Sequence, residues 1–201
     1  MIVVVRSALL AAAAMLVLSV SANAATDVSG TVSVTGAVTS KCSANGNNSG
    51  STFSGTIPLG ELEDPSTGRI SPTLTGANIS GASQSFTIVC NTLQPSVTLS
   101  ATPLGDGVAA PTTYTSTVDY TAALALAETS GSETFTYGTH GLPAATTGTL
   151  AHPISSTPNN VTVSVNSLET DGGANTSVLT AGSYGSAAGG TGGVISIVIS
   201  P

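Results

Sequence analysis

Residues 28–42 read VSGTVSVTGAVTSKC. Val28, Gly30, Val32, Val34, Gly36, Val38, Ser40 and Cys42 share one parity. Ser29, Thr31, Ser33, Thr35, Ala37, Thr39 and Lys41 share the other. Period-two alternation over fifteen residues is the pattern of a half-buried β-strand. At about 3.3 Å per residue it would reach about 50 Å, whereas strands in globular domains usually run about five or six residues. The stretch is therefore read as one very long edge strand or as two functional pieces in series. Gly30 and Gly36 favour a bend or the close approach of another backbone.

Composition excludes several functions. Of 201 residues, 6% are charged, and 3 Lys and Arg stand against 10 Asp and Glu. So few cations cannot neutralise a phosphate backbone, which argues against nucleic-acid binding. A cytosolic enzyme would carry about a quarter charged residues. The 31 Thr and 29 Ser, with Val, Ile and 23 Gly, are the composition of strands joined by turns. Mean hydropathy of +0.37 argues against disorder.

The segment 1–24, MIVVVRSALLAAAAMLVLSVSANA, places Arg6 before an apolar run and ends in Ala22-Asn23-Ala24. That is the layout of a secretory signal peptide, and the run is short for a membrane anchor. The expected organisation is a signal peptide (1–24), an N-terminal alternating extension (25–40) running into the first strand, and a β-sandwich domain (41–201). No later apolar run is long enough to span a bilayer, so the expectation is an exported protein with no transmembrane segment after cleavage. In an oxidising compartment the two cysteines, Cys42 and Cys90, are expected to form one disulfide.

Further strands are expected at Thr56–Leu62, Ser85–Cys90, Ser96–Leu104, Val161–Leu168 and Val194–Ser200. Arg69–Ser80 is only weakly strand-like. Val118–Ala127 reads as a strand paired through Ser130-Gly131-Ser132 with Glu133–Tyr137, in preference to a helix. Gly141–Asn159, with three prolines, reads as a loop. Eight or nine short strands define an all-β protein, an immunoglobulin-like antiparallel β-sandwich, either self-complete or completed by a donated strand.

Chemistry-bearing constellations are sparse. His140 and His152 read as turn residues far from both cysteines, without metal-ligand spacing. Glu61, Glu63 and Asp64 read as a solvated turn, lacking a calcium-loop pattern. No G-x-S-x-G elbow is present. Asn47, Asn78, Asn160 and Asn175 begin N-x-[ST] triplets, which a Ser/Thr-rich chain produces by chance. No catalytic residue, metal ligand or cofactor is assigned, and no enzyme activity is expected.

The order of elements resembles the pilins of chaperone–usher fimbriae and the related spore coat protein U-like secreted domains. The resemblance rests on the alternating segment ending in Cys42, on Ile57-x-Leu59-Gly60-x-Leu62, and on a strand ending in Cys90. Leu179-x-Ala181-Gly182-x-Tyr184 then precedes a terminal alternating strand. It implies a structural subunit of a surface fimbria or pilus, with an adhesion or biofilm role, assembled by donor-strand exchange. It further implies copies of the chain or related subunits, a periplasmic chaperone and an outer-membrane usher as partners, and passage through the periplasm to the cell surface. Carried onto this chain, the donor face is Val28, Gly30, Val32, Val34 and Gly36, and the acceptor groove includes Ile195, Ile197 and Ile199. Two alternatives stay open. Residues 28–42 could be the first strand of a complete sandwich, and the chain could be a secreted monomeric binding module for a surface glycan or a coat component.

Overall fold

The structure, a computed structural model, describes residues 31–44 and 51–201. The expected signal peptide, Val28 and Gly30 lie outside the described residues. The chain divides into two units, residues 1–37 and 38–201. In the first, residues 31–37 are neither helix nor strand, and Val32 and Val34 are each 92% exposed.

The second unit is all-β. Its strands are β1 (Cys42–Ala44), β2 (Ser83–Phe86), β3 (Ile88–Cys90), β4 (Ser96–Ala101), β5 (Leu104–Gly105), β6 (Tyr114–Thr115) and β7 (Thr117–Ala127). They continue as β8 (Ser132–Gly138), β9 (Thr146–Thr149), β10 (Val161–Glu169), β11 (Val178–Leu179), β12 (Thr191–Gly192) and β13 (Ile195–Ser200). The larger sheet runs β12-β5-β7-β10-β2, with β8 also paired to β7, and a second sheet runs β13-β4-β9. Every ladder is antiparallel except the short β11–β6 pair. The result is an antiparallel β-sandwich, consistent with the immunoglobulin-like class expected.

Alternation builds the core. Val118, Tyr120, Ala122, Leu124 and Leu126 of β7 are buried, while Asp119, Thr121 and Ala123 are only partly covered. Val161, Val163 and Val165 of β10 lie on the same inner face, opposed by Val97, Leu99 and Ala101 of β4. Burying a Val or Leu side chain contributes about 1.5–3 kcal/mol. β7 and β8 form the expected hairpin, turned at Gly131 with φ of 94°.

Chain segment 96–105 passes from the smaller sheet to the larger through Thr102 and Pro103, and segment 191–200 accompanies it antiparallel. The two backbones touch at the corner, where a Cβ on Gly192 would fall 2.0 Å from the Pro103 carbonyl oxygen. Only glycine fits there, which explains why a glycine-rich stretch precedes the last strand.

Several elements differ from the sequence expectation. The long alternation is not a strand over residues 31–41, and the ladder begins only at Cys42. Thr56–Leu62 has a strand's apolar pattern but no ladder. Pro58 removes one amide donor, and Gly60 turns the chain with φ of 74°. Arg69–Ser80 contributes a bridge from Ile70 to Glu63 and a single 3-10 turn at Pro72–Leu74. Ser85–Cys90 is two strands, because β2 pairs with β10 and β3 with β1. Within the expected loop 141–159, Thr146–Thr149 forms β9 against β4.

Candidate functional site

The site is an apolar groove of about 1080 Å³ between the two sheets. One wall is β13. Its inner side chains Ile195, Ile197 and Ile199 are half-buried against the core, and Ile195 and Ile197 line the groove. Ile199 shares the face but lies beyond the lining. β13 pairs on one side with β4, in register from Ile195 opposite Ala101 to Ser200 opposite Ser96. Its other edge bonds to no backbone among the described residues. An edge of this kind is a template for another strand.

The opposite wall is the segment 53–62. Phe53, Ile57, Leu59 and Leu62 are half-buried against the core, and the Phe53 ring packs on Phe86 with centroids 4.6 Å apart. Residues 53–61 make no backbone–backbone hydrogen bond among the described residues. Their tether is a side chain: Gln84 Nε2 donates to the Thr56 carbonyl at 3.0 Å. The floor comes from Tyr120, Val163, Val165 and Leu104. Two backbone edges without backbone partners among the described residues therefore flank a trough of apolar side chains.

Tyr184 closes one end. Its hydroxyl oxygen lies 3.2 Å from the Thr115 carbonyl oxygen and 3.1 Å from that of Thr180, which share its single hydrogen, and Thr180 Oγ1 donates to the Asp106 carboxylate. Burial is the main cause pushing the Tyr184 phenol up, and the charges of Asp106 and Glu63 add to it against the Thr180 hydrogen bonds. This tyrosine stays neutral and locks the β11–β6 pair, so Leu179–Tyr184 is an architectural motif.

The disulfide joins Cys42 to Cys90 across directly opposed positions of β1 and β3. Asn91 extends the clasp. Its Oδ1 accepts from Lys41 N at 2.7 Å, and its Nδ2 donates to the Thr39 carbonyl at 2.8 Å. The alternating segment is thus held where it meets β1. Beyond that clasp, Val38 is 86% exposed, and a Cβ on Gly36 would meet no atom within 4 Å.

The remaining polar candidates are occupied by structure. Asp64 accepts from Ser66 Oγ at 2.7 Å and from Ser66 N at 2.8 Å, which holds its carboxyl below the usual range and shapes its turn. His140 Nδ1 lies 3.2 Å from Asp119 Oδ2, while Asp119 Oδ1 accepts from the buried Thr139 hydroxyl at 2.8 Å. Asp119 stands between hydroxyl and imidazole, so His140 is not placed to take the Thr139 proton as a general base must. The His152 amide donates to Glu128 Oε1 at 3.1 Å. Among the described residues no cluster of three His, Cys, Asp or Glu could hold a metal ion, and no helix is long and apolar enough to cross a membrane.

No family model matches the chain, and no curated protein or solved structure matches it either. Its own geometry defines the class: an antiparallel β-sandwich with an apolar groove beside a strand edge that is unpaired among the described residues.

The sequence pointed to Ile195 and Ile197 but not to Phe53, Gln84 or Tyr120. Phe53 and Gln84 lie in or beside polar stretches that resemble loops. Tyr120 carries the same alternation signal as any core residue of β7.

Proposed function

We propose that the groove receives a β-strand from another polypeptide and that this strand is the alternating segment of a second copy, with Val28, Gly30, Val32, Val34 and Gly36 facing inward. The chain is then a structural subunit of a fimbria-like surface fibre built by donor-strand exchange. The observation that carries this reading is the edge of β13, unpaired among the described residues, beside half-buried Ile195 and Ile197. Strand addition there supplies main-chain hydrogen bonds, and alternate side chains supply apolar burial.

The choice of occupant rests on the chain itself. Val32 and Val34 are each 92% exposed and share one parity of the alternation, so insertion of this segment as a strand would take both side chains out of water. Residues 28–40 contain no charged side chain, so an inserted strand would bury no charge. Donation from one copy into the next is head-to-tail and does not close on itself, so it propagates a fibre. The resemblance to chaperone–usher pilins adds export through the periplasm, a chaperone that covers the groove first and an outer-membrane usher.

The test is electrophoresis of unboiled protein in SDS. The full chain should run as a ladder that collapses on heating, and deletion of Asp27–Val34 should leave a folded, disulfide-bonded subunit without a ladder. A ladder from the truncated chain contradicts donation by this segment.

A further inference from the structure

Segment 53–60 buries its side chains as a strand does. Phe53, Ile57 and Leu59 are half-buried, while Ser54, Thr56, Pro58 and Gly60 are exposed. Gly55 keeps the inward parity, since a Cβ there would fall 3.0 Å from the Phe86 ring. Yet no residue of the segment bonds backbone to backbone among the described residues. The stretch has an inner face but no ladder, and half-buried peptide groups without partners cost free energy.

In an extended chain each residue turns its N–H and C=O to one edge, and the next residue turns to the other. The edge of Ser54, Thr56, Pro58 and Gly60 cannot carry an unbroken ladder. Pro58 has no N–H, the Thr56 carbonyl accepts from Gln84 Nε2 at 3.0 Å, and Gly60 turns with φ of 74°. Proline in a sheet sits where its missing donor faces solvent. The edge of Gly55, Ile57 and Leu59 keeps every donor and acceptor, and these residues line the groove. The segment begins over Phe86 of β2, the last strand of the larger sheet. The ladder neighbour of β2 is β10, which supplies Val163 and Val165 to the groove floor. From the segment, the groove thus lies on the β10 side, with β13 across it.

We propose that residues 55–59 are a latent strand. When the alternating segment of a second copy enters the groove, Gly55, Ile57 and Leu59 become its second backbone partner. The entering segment is then bound along both edges, by β13 on one and by this stretch on the other. This rests on the strand-acceptor reading and sharpens its specificity. A strand held on one edge can carry a missing amide at every second residue, whereas one held on both edges cannot. The donor meets that demand: the chain has 10 Pro, and none precedes Pro58. Pro58 in turn keeps the outer edge of the stretch from recruiting a strand on the wrong side.

The experiment measures binding of a synthetic peptide of residues 27–40 to the full chain at high dilution. The peptide is unmodified, or N-methylated at Val32, or N-methylated at Ser33, two amides that turn to opposite edges. Each N-methyl group should weaken binding about two- to tenfold. If either leaves the affinity unchanged, the strand is held on a single edge and the proposal is overturned. Residue-resolved amide hydrogen exchange of the nitrogen-15-labelled full chain identifies the edge. On saturation with unmodified peptide, the amides of Gly55, Ile57 and Leu59 should slow, and those of Ser54, Thr56 and Gly60 should not. Slowing of both sets alike, of the second set alone, or of neither overturns the proposal even where both N-methylated peptides bind weakly. If the unmodified peptide does not bind, the strand-acceptor reading fails and the latent strand with it. Binding of the unmodified peptide with one tolerant N-methyl position removes the latent strand alone.

Discussion

Asn160 acts as a strand partner for Ile88. The Ile88 amide donates to Asn160 Oδ1 at 2.8 Å, and Asn160 Nδ2 donates to the Ile88 carbonyl at 2.7 Å. Asn160 is 2% exposed and Ile88 is 3% exposed, so neither backbone group has water as a substitute. The pair stands where the chain leaves β2 and begins β3, at the point of transfer between two ladders. Replacing Asn160 with Ala should cost about 3 kcal/mol, because it strands a buried donor and a buried acceptor together. Urea unfolding should show a lower midpoint at unchanged slope, and a loss under about 0.5 kcal/mol would mean these groups find other partners.

Gly148 of β9 lies under the Phe135 ring of β8. A Cβ there would come 2.4 Å from Phe135 Cε1, so Gly148→Ala should destabilise by about 1–3 kcal/mol through overpacking. Adding Phe135→Leu should recover part of that loss, giving a coupling visible in a double-mutant cycle. Additive effects would contradict direct contact.

The bridge between Cys42 and Cys90 spans a sequence separation of 48. Loop-closure entropy assigns such a link about 4 kcal/mol. The Cys42→Ser, Cys90→Ser double variant should lose stability of that order in thermal or urea unfolding. A loss near zero would place the order of this region in the Asn91 clasp and the β1–β3 ladder alone.

Asp171 organises the loop before β11. Desolvation pushes its carboxyl up, but hydrogen bonds from the amides and hydroxyls of Ser177 and Thr176 outweigh this and hold it below the usual carboxylate range. Its folded value is therefore below its unfolded value. The stabilisation is fully present above the ordinary carboxylate pKa of about 4 and is lost as pH falls through the folded value. Between neutral pH and about pH 5, stability should not change on this account. Below about pH 4 wild type should lose stability more steeply than Asp171→Asn, and parallel profiles would contradict the assignment.

Much of the sandwich was legible because its inner faces are apolar at every second residue, as in Tyr120–Leu126, Val161–Val165 and Ile195–Ile199. β9 was not, since Thr-Thr-Gly-Thr carries no apolar residue and its place depends on Gly148 fitting beneath Phe135. The break at Thr87 was hidden for the opposite reason: apolar alternation continues through Phe86 and Ile88 while the backbone changes partners. Ile57 to Leu62 looked like a strand because its side chains do face the core, but a ladder needs a neighbour and none is present among the described residues. The same limit applies to the groove. One-dimensional alternation reports which side chains face inward, not which backbone edges lack a partner.

Entry of residues near 34 into the groove of another copy is open to photo-crosslinking in a mixture of two isotopically distinct chains. An unlabelled chain carries a photoreactive benzoyl-phenylalanine in place of Val34, and a nitrogen-15-labelled chain is otherwise unmodified. After co-assembly and irradiation, mass spectrometry should find the probe joined to labelled peptides containing residues 53–62 or 195–199. Crosslinks confined to unlabelled peptides of the probe-bearing chain itself would show that the segment completes its own fold, and would contradict donation between copies.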